Sequence, residues 1–123
     1  MASEFTLTED NLDDERHVIA VRGEIDLFTA PDLKAAIIGA IDSGKRRVVV
    51  DLTETAFLDS TALGVLIGAI KRLRAGGDGV LTIVNTDPSI AKTFEITGLD
   101  QIFTITETRD EAIAALDVAQ PTA

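Results

Sequence analysis

The stretch RRVVVDLTETAFLDSTALGVLIGAI, Arg46 to Ile70, contains the strand and the helix around which the rest of the chain is expected to fold. Its first part, RRVVVDL, is apolar at consecutive positions, which is typical of a central strand that is covered on both faces. From Asp59 onward, leucine and isoleucine recur at helical spacing, and the pair Gly76-Gly77 favours a helix end. The stretch therefore predicts a central strand and a helix, with the polar triplet Asp59-Ser60-Thr61 where the helix begins.

The segments before this stretch predict two strands and one helix. FTLT from Phe5 and HVIAVRG up to Gly23 are both typical of strands, and the acidic EDNLDDE between them predicts a hairpin loop. In TAPDLKAAIIGAIDSGK, apolar residues recur at helical spacing, Thr29 is placed to cap the helix and Pro31 lies in its first turn. We expect this helix to end at Gly44.

The segments after it alternate between strands and helices. VLTIVN predicts a strand, a helix is expected from Pro88 to about Gly98, and IFTI predicts a last short strand. TRDEAIAALDVA opens with the capping-box pattern of Thr108 and Glu111. The order predicts an α/β fold, with a single mixed sheet of about five strands packed with about four helices. Residues 1–123 are expected to form one domain with a short flexible tail near 119–123.

The composition limits the classes of partner. The chain has 123 residues, of which 46% are hydrophobic, and a formal net charge of -10. This charge has the wrong sign for binding a phosphate backbone, so we expect no nucleic acid and no anionic membrane as partners. Without cysteine there are no disulfides or thiolate ligands, and the lone histidine, His17, excludes a multi-histidine metal site. We expect His17 at an ordinary surface or edge position.

The N-terminal residues and the apolar runs indicate a cytoplasmic protein. MASEFTLTEDNLDDER is acidic and lacks the apolar centre of a signal peptide. The longest apolar runs, such as LGVLIGAI, are far shorter than the ~20 residues that span a bilayer. We therefore expect these runs to lie in the core of the protein.

The sequence does not predict an enzyme. It has no Ser/His/Asp set, no metal cluster and no glycine-rich phosphate loop, so we expect no catalytic residues, no cofactor and no metal. A receiver-type phosphorylation domain is a rival, because Asp51 ends the central strand where such folds place a phosphorylated aspartate. A receiver also needs an acidic pair after its first strand and a lysine after its last strand, and neither is found in a suitable place.

The triplet Asp59-Ser60-Thr61 allows two interpretations. Asp59 or Ser60 caps the helix, which is a sufficient explanation for most such triplets. Alternatively, a hydroxyl at a helix start is exposed among free backbone N–H groups and can accept a phosphoryl group that the helix dipole helps to accommodate. Spacing alone does not choose between these interpretations.

Three segments, FLDSTALGVL, GEIDLFTAPDL and FEITGLDQIFTI, together resemble the STAS-domain family of bacterial anti-sigma factor antagonists. The resemblance covers nearly the whole chain, and the segments occur in the family's order. It implies a non-enzymatic switch whose unphosphorylated form binds an anti-sigma factor and releases the sigma factor. It further implies that the anti-sigma factor is an ATP-dependent serine kinase that inactivates the antagonist, and that a separate serine phosphatase resets it. We expect a monomer when the protein is free.

The resemblance also implies a role for individual residues. Ser60 matches the phosphorylated serine, Thr61 matches a neighbouring hydroxyl residue that is usually unmodified, and Asp26 matches an aspartate that takes part in kinase recognition. The residues expected to bind the partner are Asp26, Asp59, Ser60, Thr61 and Gly64. Gly23 and Glu24 match the family as well, and Gly23 also fits a requirement of backbone geometry.

Two further features leave alternatives open. Ala62 stands where the family often has glycine, and alanine stiffens the first helical turn without removing any chemistry. Gly64 and Gly68, one turn apart, allow close approach of a partner or another helix, or serve core packing against the sheet. A second function also fits the family: a STAS scaffold or regulatory module of a stress-signalling or transport complex, without phosphoserine switching.

Overall fold

A computed structural model describes residues 4–117 of the chain, which form one five-stranded sheet with four α-helices. The elements are β1 Thr6–Asn11, β2 Arg16–Ile25, α1 Ala30–Asp42, β3 Arg47–Leu58, α2 Ser60–Ala75, β4 Val80–Val84, α3 Pro88–Thr97, β5 Thr104–Thr106 and α4 Arg109–Ala115. A short 3-10 turn, Leu99–Gln101, precedes β5. The mixed α/β sheet with four helices is confirmed.

The strands lie in the order β1-β2-β3-β4-β5, which makes β3 the central strand as predicted. β1 pairs with β2 antiparallel, and all other neighbours pair in parallel. In the β2–β3 pair the last partners are Ile25 and Leu58, so these two strands end side by side. The connections that follow them, into α1 and into α2, consequently start at the same end of the sheet.

The run Val48-Val49-Val50 explains why β3 is apolar at consecutive positions. Val48 and Val50 belong to the large core cluster, in which α1, α2 and α3 cover one face of the sheet. Val49 belongs to a smaller cluster with Val18, Val80 and Val84, which Ala112 and Leu116 cover from the other side. Because successive strand residues point to opposite faces, a strand buried on both sides must be apolar throughout.

Two strands are longer than predicted. β1 continues through Glu9, Asp10 and Asn11, which the sequence assigns to a loop, and all three are exposed. An edge strand needs only backbone pairing, here with His17 to Ile19, and tolerates polar side chains in water. β3 continues from Leu52 to Leu58, because β2 still offers backbone partners up to Ile25.

On β2, the backbone conformation and the close neighbours of Gly23 determine which residue can occupy that position. Gly23 has φ +99, and a Cβ there would lie 2.5 Å from the carbonyl oxygen of Glu4, so the position requires glycine.

The expectation of a surface or edge position for His17 is wrong. It lies on an inner strand and is buried, with Nε2 2.7 Å from Glu9 Oε1.

Three further sequence expectations concern membrane spans, the C-terminal tail and the last helix. Within residues 4–117, no helix is long and apolar enough to cross a membrane. The expected tail near 119–123 lies outside the described residues, and so do both ends of the single domain expected over 1–123. The last helix is shorter than the segment that predicts it, and its capping box of Thr108 and Glu111 is confirmed.

Candidate functional site

The first turn of α2 shows which residue of the triplet caps the helix. Asp59 is the N-cap, and its Oδ1 accepts a hydrogen bond of 3.1 Å from the backbone N–H of Ala62. Ser60 is the first residue of the helix and is exposed. Among the described residues its hydroxyl has no hydrogen-bond partner. The capping role therefore belongs to Asp59, which leaves the Ser60 hydroxyl chemically available.

The β2–α1 loop is organised by Asp26. Its Oδ1 accepts hydrogen bonds from the backbone N–H groups of Phe28 (2.9 Å) and Thr29 (3.1 Å). The N–H of Thr29, followed by further hydrogen bonds, lowers the pKa of Asp26 below its ordinary 3.8, because these bonds stabilise the carboxylate. Asp26 thus makes the turn contacts of a loop residue, and its part in partner recognition stays a prediction.

Thr29 lies at the N-cap position of α1 as predicted, but its side chain does not cap the helix. It has no side-chain bond to the helix N–H groups. Its Oγ1 instead lies 2.8 Å from the carbonyl oxygen of Glu24 and accepts the N–H of Asp26 at 2.9 Å. These bonds hold the backbone of the loop that begins at Asp26, directly after β2 ends. The predicted position of Thr29 is therefore confirmed, and the predicted side-chain cap is wrong.

A backbone hydrogen bond joins this loop to the start of α2. The N–H of Asp59 donates to the carbonyl oxygen of Ile25 over 3.1 Å, just beyond the pairing of Ile25 with Leu58. Asp26 and Ser60 each follow one of the two bonded residues along the chain. The structure consequently brings Asp26, Asp59, Ser60 and Thr61 to one end of the sheet.

Gly64 and Gly68 lie on the outer face of α2, beside a cleft between α1 and α2. A Cβ at either glycine would meet no atom within 4 Å, so the core-packing interpretation of these two residues is wrong. The cleft has a volume of about 520 Å³, and Thr61 also lines it. Gly64 is thus exposed one turn beyond Ser60, on a surface that continues from the site.

Three large apolar side chains are exposed at this end of the sheet. Phe28 is 85% exposed, Leu27 is 65% exposed and Phe57, which pairs with Glu24, is 50% exposed. Sequence reasoning missed them, because periodicity assigns apolar residues to the core. The available signal was the pair Leu27-Phe28 in a turn directly after an aspartate, where no helix or strand buries it.

Asp51, the aspartate that a receiver-type domain would phosphorylate, is held in a network of hydrogen bonds. Its Oδ2 accepts bonds from Arg109 Nε (3.1 Å) and Nη2 (3.0 Å), and its Oδ1 accepts the N–H of Thr53 at 2.9 Å. Arg109 also donates to Asp10 over 2.8 Å, which connects α4 with β1. A buried carboxylate with these partners has a structural role, because it connects α4 with the sheet. Among residues 4–117 no cluster of three acidic or histidine side chains could hold a metal ion.

The fold and this site define an α/β protein with an exposed serine at the start of a helix, beside an ordered acidic loop. The family model of the STAS domain matches residues 9–112. The chain belongs to the STAS domain family, and the resemblance drawn from the sequence is confirmed.

Relatives and solved structures agree with this assignment. The anti-sigma-B factor antagonist of Listeria monocytogenes is 40% identical over 101 residues, covering 80% of this chain and 86% of that protein. A crystal structure of an anti-sigma factor antagonist from Mycobacterium paratuberculosis has a TM-score of 0.86 at 29% identity, covering 95% of this chain and 99% of that chain. The antagonist SpoIIAA in its unphosphorylated form has a TM-score of 0.77 at 26% identity, covering 93% and 96%. The predicted STAS fold is thereby confirmed.

Proposed function

We propose that the protein is an anti-sigma factor antagonist whose activity is switched by phosphorylation of Ser60. In its unphosphorylated form it binds an anti-sigma factor, which is also a serine kinase, and so releases the sigma factor. Phosphorylation by that kinase ends binding, and a serine phosphatase restores it. The protein acts in the cytoplasm as a single-domain monomer and a binding partner, with no catalytic activity of its own.

The single observation that carries this proposal is that Asp59, and not Ser60, caps the start of α2. The carboxylate of Asp59 caps α2, so the Ser60 hydroxyl is exposed and unbonded among the described residues at the helix start. Relatives that bear the name of anti-sigma-B factor antagonist support the class of partner. SpoIIAA, solved in an unphosphorylated and a phosphorylated form, supports a change of phosphorylation state.

The charges around Ser60 explain how one phosphate can switch binding. Asp59 is the neighbouring residue, and Asp26 lies in the loop bonded to it through Ile25. Phosphorylation adds roughly 1.5 to 2 negative charges at neutral pH to a chain with a net charge of -10. The helix N-terminus offsets only about 0.3 to 2 kcal/mol of this, so a phosphate that is buried against the partner without a basic group of its own opposes binding.

Phosphate transfer from purified kinases tests the proposal. Each anti-sigma factor kinase of the source cell is incubated with ATP and the wild-type protein, and the modified residue is found by mass spectrometry. We expect one kinase to modify Ser60, with no incorporation into Ser60→Ala and normal incorporation into the matched control Thr61→Ala. Incorporation that persists in Ser60→Ala and is lost in Thr61→Ala would show that Thr61, and not Ser60, is the phosphorylated residue. Binding without any transfer would favour the scaffold function.

A further inference from the structure

We propose that Leu27 and Phe28 form the apolar anchor by which the protein binds the anti-sigma factor, and that Asp26 is a positioning residue that holds this pair in place. The proposal rests on the proposed function, because it names the surface through which that partner is bound. It assigns to the loop between β2 and α1 a role that is separate from phosphate transfer at Ser60.

Exposure of this pair has no benefit for folding. Phe28 is 85% exposed and Leu27 is 65% exposed, although both are side chains that proteins usually bury. The other large apolar side chains exposed in residues 4–117 are Leu12, Phe57 and Ile96, so two of the five are adjacent in one turn. Exposed apolar residues that cluster mark binding surfaces, and aromatic residues are enriched among those that contribute most to binding.

The loop presents the pair on an ordered backbone. The N–H of Phe28 is bonded to Asp26 Oδ1, and the N–H of Ala30 donates to the carbonyl oxygen of Asp26 over 2.8 Å. Thr29 Oγ1 ties the same loop to Glu24. Because these bonds already fix the backbone, binding through Phe28 loses little conformational entropy, which is the condition for an efficient anchor.

The position and charge of the pair indicate its occupant. The hydrogen bond between Asp59 and Ile25 makes this loop continuous with the Ser60 site, so a protein that reaches Ser60 also meets the loop. The segment GEIDLFTAPDL, residues 23–33, carries three carboxylates and no basic residue. The matching surface is an apolar pocket rimmed by lysine or arginine on the anti-sigma factor. The same acidic rim repels an anionic membrane.

The contacts of Asp26 determine how it contributes. Its Oδ1 is engaged by the N–H groups of Phe28 and Thr29, which set the direction of the turn that carries the pair. Loss of these bonds frees the loop, and the pair then has to be ordered when the partner binds. Through these bonds Asp26 holds Phe28 in place, which is its positioning role.

Calorimetry with the kinase that modifies Ser60, purified and loaded with ADP, tests the anchor. The variant is Phe28→Ser, and the matched control is Ile96→Ser, which removes a side chain of α3 that is 73% exposed. Because β4 leads into the start of α3, Ile96 near its end lies towards the opposite end of the sheet. We expect Phe28→Ser to weaken binding about thirtyfold, as for a strong interface residue, and Ile96→Ser to change Kd by less than about twofold. Both variants should melt like the wild type, since neither side chain is buried.

A double-mutant cycle tests the positioning role. Asp26→Ala, which removes the Oδ1 acceptor, weakens binding on its own, but Asp26→Ala combined with Phe28→Ser should bind no more weakly than Phe28→Ser alone. Additive losses would show that Asp26 has its own contact with the kinase and would overturn the positioning role. As a second readout, Phe28→Ser should raise KM for phosphate transfer with little change in kcat.

The outcomes separate this proposal from the proposed function. If the wild type binds no anti-sigma factor kinase, the proposed function is wrong and the anchor falls with it. If the wild type binds and Phe28→Ser binds equally well, only the anchor is wrong. If sedimentation shows a wild-type dimer that Phe28→Ser dissociates, the occupant is a second copy of the chain, and the anchor for the kinase is overturned.

Discussion

At the start of α2, Asp59 caps the helix and Ser60 offers the hydroxyl proposed to accept phosphate, although one serine could perform both tasks. Asp59 supplies the cap through its bond with the N–H of Ala62, and Ser60 is left without a bonded partner in the described part of the chain. A serine that capped the helix would have to give up its hydrogen bond before it could accept a phosphoryl group. The division therefore makes modification independent of helix stability.

Asp59→Ala and Ser60→Ala should therefore differ in stability. We expect Asp59→Ala to lower the free energy of unfolding by about 1 kcal/mol, within the usual range for the loss of an N-cap. Ser60→Ala should leave it unchanged within a few tenths of a kcal/mol, because no hydrogen bond of the Ser60 side chain is lost. Urea unfolding of both variants measures this, and an equal loss in the two would contradict the assignment of the cap.

Asp26 should make stability depend on pH in the acid range. Its pKa is lowered from 3.8 by hydrogen bonds, first of all from the N–H of Thr29, so its charged form is favoured in the folded state. The stabilisation is present above 3.8 and is lost as the pH falls through the lowered pKa. Urea unfolding of the wild type and Asp26→Asn at about pH 6 and about pH 2 should give a difference that shrinks in acid. A difference that is constant with pH would show that Asp26 contributes nothing through its charge.

Among the elements, β2 and α2 contain glycines with opposite requirements. Gly23 on β2 has φ +99 and faces the Glu4 carbonyl oxygen, whereas Gly68 on α2 is helical and faces open space. The same substitution should therefore act in opposite directions at the two positions. The resemblance matched Gly23 to the family, and the structure gives the physical reason for glycine at this position.

We expect Gly23→Ala to lower the free energy of unfolding by more than about 1 kcal/mol, since the native backbone does not suit alanine and the added Cβ meets backbone atoms. Gly68→Ala is the matched control and should raise stability by up to about 1 kcal/mol, because alanine is the better helix former. Thermal unfolding of the two variants gives the comparison. A stabilised Gly23→Ala would mean that the strand can shift without cost.

The elements also show what the sequence could predict. The valine run of β3 and the capping box of Thr108 and Glu111 were readable, because each pattern has one dominant physical cause. The extension of β1 was not, because an edge strand needs only backbone pairing and its exposed residues carry no apolar pattern. The exposure of Leu27 and Phe28 was signalled only by their position in a turn after Asp26. Ser60 was located through resemblance, because capping alone explains such a triplet equally well.

For the whole molecule, charge matters more than shape in the proposed switch. With 21 acidic and 11 basic residues, the chain already has an excess of negative charge, so any further negative charge in the interface needs a basic group of the partner beside it. The fold should accommodate the phosphate, since Ser60 is exposed. The energetic cost therefore arises at the interface.

Phosphorylated Ser60 should weaken binding to the ADP-loaded anti-sigma factor on the order of a hundredfold or more, because a phosphate buried beside Asp59 without a basic group of its own costs several kcal/mol. Ser60→Asp should reproduce part of the loss, with fewer charges and no tetrahedral oxygens. Calorimetry of the phosphorylated and unphosphorylated protein against the kinase measures both effects. Equal dissociation constants would rule out the switch.

The two core clusters on either side of β3 have a consequence for hydrogen exchange. Among residues 4–117, the smaller cluster contains six buried residues and holds α4, which is seven residues long, whereas α2 packs into the larger cluster. An element with few buried contacts opens at a lower free energy than the rest of the fold, so α4 should open as a separate unit. Its amides should then exchange well before those of α2. Arg109→Ala, which removes the ion pair with Asp51, should accelerate exchange in α4 and leave the amides of α2 protected.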